Sequence, residues 1–150
     1  RAASAAGRAM PRQLSSAAPP AGVAVVTGGA GGIGAGISRR LAEEGMAVAV
    51  AYRSDRAKAL ELVASLPGSG HIALCADTTQ SRSLQEASEE VGKHFGNVDL
   101  LVNNAGCTTG VPHDDLDGLT DDWIDKIMAT NFRGTFACTR AFKQLLEAGG

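Results

Sequence analysis

The sequence holds no Cys-x-x-Cys pair. Its cysteines, Cys75, Cys107 and Cys138, are odd in number and widely spaced. That pattern argues against a disulfide or zinc framework, and no metal is expected. It suits reduced thiols of an intracellular compartment, each read as a small core residue. There is no excess of positive charge: 14 Lys and Arg against 16 Asp and Glu leave −2 at pH 7. Nucleic-acid binding, which asks for a basic face, has no support. No apolar run reaches the length of a membrane span, so no membrane partner is expected. The 150 residues suffice for one domain with a real core.

The first twenty residues, RAASAAGRAMPRQLSSAAPP, carry Arg1, Arg8 and Arg12 and no acid. Arg- and Ala-rich composition without acids resembles an organellar transit peptide. A disordered tail, or upstream translation with Met10 as the start, are the other readings. Residues 1–21 are therefore set outside the fold. The expected location is the cytoplasm, or the matrix of a mitochondrion or plastid if the tail is a transit peptide.

What is present is an alternation. VAVV (Val23–Val26) reads as a buried strand, followed by a helix marked by Ile33, Ile37 and Leu41 and ending near Gly45. AVAVAY (Ala47–Tyr52) is a second strand and residues 55–66 a helix, capped by Ser54 or Asp55 and stopped by Pro67-Gly68. Strands at 71–75 and 98–102 flank a helix at 81–95, and a long helical run covers 120–148. Continuously apolar strands alternating with helices predict an α/β fold. Its parallel sheet is covered on both faces, with strand order 3-2-1-4.

The turn between the first strand and first helix is rich in glycine. Gly29-x-Gly31-x-x-Gly34 fits a dinucleotide fingerprint, and Thr27-Gly28-x-x-x-Gly32-x-Gly34 a longer variant. Glycine there permits a sharp turn and a close approach of backbone to a pyrophosphate, at a helix end carrying free N–H groups and partial positive charge. A nucleoside-triphosphate loop would end in Gly-Lys-Ser/Thr; here Ala35 and Gly36 follow Gly34, which excludes it.

Further features follow in order: Asp77 after the third strand, Asn103-Asn104-Ala105-Gly106 after the fourth, and Asn131 inside the long helical run. With the glycine turn, they resemble the short-chain dehydrogenase/reductase family from about Val23 onward. The resemblance implies that residues 22–150 are the N-terminal part of a Rossmann-type, doubly wound NAD(P)-binding domain. Gly28, Gly32 and Gly34 would line the cofactor pyrophosphate, and Asp77 would accept a hydrogen bond from the adenine amino group. Asn104, Ala105 and Gly106 would run along the cofactor ribose, while Asn103 and its neighbours steady the central strands. Ile33, Tyr52, Arg53, Ser54 and Thr78 complete the expected cofactor-binding set. Asn131 would be the catalytic asparagine that holds a water in the proton relay. Its helix face, with Ile124, Ile127, Thr135, Cys138 and Phe142, predicts a buried amide that needs partners. Met128, Phe132 and Phe136 form a second apolar strip, which in this family packs against another subunit, so a homo-oligomer is expected.

Cofactor choice is read at the end of the second strand, where an acid selects NAD and an arginine accommodates the 2′-phosphate of NADP. Tyr52 takes the acid's place, with Arg53 next and Arg56 in the following helix. NADP(H) is expected and NAD is the lesser reading. The family's proton donor lies in Tyr-x-x-x-Lys, yet the only tyrosine is Tyr52, with Arg56 four residues on. The resemblance places that pair beyond Gly150. The 150-residue piece alone is then expected to be inactive and poorly soluble, with the fourth strand's edge unpaired. Tyr52-Arg53-Ser54-Asp55 resembles the corresponding strand end of 3-oxoacyl-carrier-protein reductases. A carbonyl substrate, small or an acyl thioester, is expected. The alternatives are a dehydrogenase of sugars or other alcohols, and a non-catalytic NADP-binding protein.

Overall fold

The computed structural model describes residues 20–150. The readings made for the N-terminal tail lie outside them, apart from its last two residues. The described residues form four parallel strands in the order β3-β2-β1-β4: β1 (Val23–Val26), β2 (Ala47–Tyr52), β3 (Ile72–Cys75) and β4 (Leu100–Val102). Helices α1 (Gly32–Glu43) and α2 (Arg56–Ser65) cover one face. The other face is covered by α3 (Ser81–Phe95) and α5 (Thr135–Gly149). Before α5 run α4 (Asp121–Ile127) and a π-helical segment, Met128–Gly134.

The strands alternate across the sheet. Ala47, Ala49 and Ala51 of β2 point with Val23 and Val25 toward α3 and α5. Val48 and Val50 point with Val26 toward α1 and α2. Small residues on the first face leave room for the bulk of Phe142, Leu74, Leu84 and Val91, all fully buried. Helix ends follow local signals: Gly45 takes φ 83° after α1, and Asp55 Oδ1 accepts the Lys58 N–H at 2.9 Å to cap α2.

Two strands start later than their apolar runs suggest. Val98 is fully buried, but its N–H donates to the Leu145 carbonyl in α5 rather than to a strand. At the head of β3, the His71 side chain replaces the backbone: its Nδ1 accepts the Val48 N–H at 3.1 Å, and its Nε2 meets the Pro67 carbonyl at 2.8 Å.

The three cysteines are free, but only Cys138 is a core residue; Cys75 is exposed and Cys107 half-buried. Both lie at strand ends or beyond, where the sheet opens to the surface. Burial pushes the Cys138 thiol up to about 11. At pH 8 an alkylating reagent is expected to modify Cys75 in the folded protein and to spare Cys138 until denaturant is added. Peptide mass mapping reads this directly, and fast native labelling of Cys138 would contradict the packing. Between about pH 9 and 11 the folded thiol keeps a proton that the unfolded chain gives up, so this group lowers stability as pH rises through that window.

Candidate cofactor groove

The carboxyl ends of the strands carry a groove of about 520 Å³. Gly28, Ile33, Tyr52, Arg53, Ser54, Thr78, Asn104, Ala105 and Gly106 all line it, so nine of the residues singled out in the sequence converge on one surface. Ile33 is 79% exposed; it stands over the groove rather than in the core, although it opens the apolar repeat of α1.

Thr27 ties the glycine turn to the loop after β4. Its Oγ1 accepts the N–H groups of Asn104 and Ala105, each at 3.0 Å, and donates to the Val102 carbonyl at 3.3 Å. The Asn104 amide returns the tie, donating to the Thr27 carbonyl at 3.0 Å and the Gly28 carbonyl at 3.3 Å. Asn104, the neighbour of Asn103, thus joins the central strands. The Asn103 amide instead reaches Thr139 Oγ1 in α5, at 3.3 Å.

The glycines divide the work. Gly28 (φ 62°) and Gly32 (φ 49°) need the left-handed region, and a Cβ on Gly32 would meet nothing within 4 Å. Gly34 does not line the groove. A Cβ there would overlap the Gly28 carbonyl oxygen and lie 2.6 Å from Asn104 Nδ2. Its role is contact between helix and turn.

Asp77 also lies off the groove wall. Its Oδ1 accepts from Thr79 N at 2.9 Å and Thr79 Oγ1 at 2.7 Å, shaping the turn that presents Thr78. Gly134 lets the long helix approach that turn: a Cβ there would lie 3.2 Å from Thr78 Cβ and from the Thr78 carbonyl oxygen.

Asn131 requires a correction. It is exposed, and so is Ile124, at 43%. The π-helical segment holds an extra residue per turn, which rotates what precedes it by about 100° relative to α5. The buried stripe runs through Thr130, Gly134, Cys138 and Phe142 instead. The Asn131 amide is nonetheless partnered, accepting from Cys107 N and donating to the Cys107 carbonyl, both at 2.9 Å. It thus holds the loop after Gly106, and Cys107 lines the groove.

Sequence reasoning missed Lys58, Thr130 and Cys107 as groove residues.

The groove suits an anionic dinucleotide. No side chain caps α1 at Gly31, and no acid stands in its first turn. Its free N–H groups and positive end thus face the open space above Gly32. A parallel 3-2-1-4 sheet with this turn at the carboxyl end of β1 defines a dinucleotide-binding α/β domain of the Rossmann type. The model of the short chain dehydrogenase family matches residues 22–150, and the chain belongs to that family of oxidoreductases, whose members bind nicotinamide cofactors.

Among its relatives is a D-threitol dehydrogenase of Mycolicibacterium smegmatis, 38% identical over 130 residues, covering 85% of this chain and 49% of the relative. A short chain dehydrogenase from Burkholderia cenocepacia, solved in complex with NADP, superposes with TM-score 0.72 at 36% identity, over 82% of this chain and 50% of that one. A 3-ketoacyl-(acyl-carrier-protein) reductase from Brucella melitensis, complexed with NADH, gives 0.78 at 30% identity, over 86% and 51%. The chain spans about half the length of the curated relatives it matches.

Proposed function

We propose that the whole protein is an NADPH-dependent reductase of a carbonyl substrate. The observation that carries the cofactor choice is the end of β2. Tyr52, Arg53, Ser54 and Asp55 line the groove there; Asp55 lies three residues past the strand-end position, and its Oδ1 caps α2. At the strand-end position a ribose 2′-hydroxyl thus finds Tyr52 in place of the carboxylate that selects NADH, while a 2′-phosphate meets the Arg53 guanidinium. When bound, the nicotinamide supplies the hydride. This chain's residues hold the pyrophosphate on Gly28, Ile33 and the end of α1, and the ribose along Asn104 to Gly106. Asp77 serves the adenine through the turn it shapes at Thr78. Asn131 fixes the loop that borders the reacting end and stands where it could hold a relay water. The proton donor is proposed to come from outside these residues, because the sole tyrosine, Tyr52, sits at the ribose end.

The strip of Ile124, Met128, Phe132 and Phe136 is 43–71% exposed, and a second copy is proposed to cover it. Among the described residues no helix is long and apolar enough to cross a membrane. A 3-oxoacyl thioester is the proposed substrate, supported by the Tyr52-Arg53-Ser54-Asp55 strand end and by the Brucella neighbour's own activity. A sugar alcohol is the second reading, favoured by the threitol dehydrogenase relative.

Fluorescence titration of the full-length protein is expected to show NADPH binding at least about tenfold tighter than NADH, and Arg53→Ala to erase about tenfold of that difference. Tighter NADH binding would sink the cofactor assignment. Acetoacetyl-CoA reduction set against threitol oxidation separates the two substrates.

A further inference from the structure

Lys58 stands in the first turn of α2 with its ammonium beside the glycine turn: a Cβ built on Gly31 would lie 3.5 Å from Lys58 Nζ. Gly31 has an extended backbone (φ −139°, ψ 156°) that any residue adopts. What its missing side chain leaves is room, and the ammonium stands at its edge. Lys58 also borders two adjoining depressions. One is the groove, which it lines with Arg53 and Ser54; the other, of about 450 Å³, it lines with Gly31, Gly32 and Arg39. Lys58 therefore stands between the glycine turn and the end of β2.

Its charge is uncommitted. Among the described residues the ion pairs join Arg40 to Glu43 and Glu44, Arg82 to Glu86, and Lys143 to Glu147; none takes Lys58, Arg53 or Arg39. Asp55, the acid closest in sequence, lines the same groove, but it forms no ion pair with Lys58 or Arg53, and its Oδ1 is held at the helix end by Lys58's own backbone N–H. Two unpaired cations, one on each side of the β2–α2 turn, face one stretch of groove. They suit a compact dianion better than a neutral hydroxyl.

We propose that Lys58, with Arg53, binds the 2′-phosphate of the adenosine ribose and so helps determine cofactor specificity. The inference rests on the NADP-binding reading above and adds to it a residue outside the strand-end position. The pyrophosphate has its own donors on α1. Lys58 lies on the β2 side of the turn, where only the phosphorylated ribose brings further negative charge.

The test uses calorimetric titration of the full-length protein with 2′,5′-ADP and with 5′-ADP, which lacks the 2′-phosphate. Lys58→Met is expected to weaken 2′,5′-ADP about tenfold and to leave 5′-ADP within about twofold, while Lys58→Arg keeps most of the affinity. The discrimination should shrink as salt rises, because the site is open to water. The side chain is exposed, so thermal unfolding should not change. Equal weakening of both ligands would assign Lys58 to the pyrophosphate or to structure and overturn the proposal. So would Lys58→Met binding that matches wild type in a protein that prefers 2′,5′-ADP. A wild type that binds neither ligand fails the cofactor reading itself, a result distinct from both.

Discussion

Gly34→Ala is expected to abolish dinucleotide binding and to lower stability by about 3 kcal/mol or more. The added Cβ would overlap the Gly28 carbonyl oxygen, a backbone atom with no rotamer to change, and would lie 2.6 Å from the Asn104 amide. Either α1 lifts off the turn or the turn moves away from the loop after β4, and both moves dismantle the groove. Two other glycines separate this effect from the residue type. Gly32→Ala places its Cβ in open space but at φ 49°, so it should cost about 1–2 kcal/mol in backbone strain and intrude on a bound pyrophosphate. Gly36→Ala meets nothing within 4 Å inside the helix and should stabilise by up to about 1 kcal/mol. Urea unfolding of the three variants, paired with NADPH titration, checks the order. If Gly34→Ala kept wild-type affinity, the close approach of helix and turn would not be what shapes the site.

The fold was legible because each strand is apolar on both faces and each helix is bounded by a cap or a glycine. Val23–Val26 and Ala47–Tyr52 could only be central strands, and Gly45 could only follow a helix. The groove was legible for a related reason: residues at the carboxyl ends of parallel strands must meet at one edge of the sheet. The π-helical segment was not legible. Nothing in Met128–Gly134 departs from an ordinary helical pattern, and the extra residue shows only in space, where Gly134 lies close against Thr78. A strict 3.6 period therefore carried Asn131 into the core when it faces outward. Lys58 escaped for the opposite reason. An exposed lysine in a first helical turn has no sequence mark, and only the position of Gly31 in space gives it a role.

Thr27→Val tests the other half of the construction, the tie between the strands. The substitution keeps shape and removes only the hydroxyl, which is buried with Thr27 at 2% exposure. The Asn104 N–H retains its second acceptor, the Val102 carbonyl at 3.0 Å. The Ala105 N–H loses its partner, and the hydroxyl's own bond to Val102 is lost as well. The Ala105 N–H is half-buried on the groove wall, where water replaces part of the lost bond, so a loss of about 1–3 kcal/mol is expected. Thr27→Ser keeps the oxygen and gives up one methyl group, for about 1 kcal/mol. Because Asn104, Ala105 and Gly106 line the groove, Thr27→Val should also weaken NADPH binding, whereas Thr27→Ser should not. Denaturant unfolding with an unchanged slope isolates the native-state effect. Valine and serine variants of equal stability would mean that the hydroxyl does not hold the loop. The Asn104 amide, which donates to the Thr27 and Gly28 carbonyls from the same loop, would then be the group that joins β4 to the glycine turn.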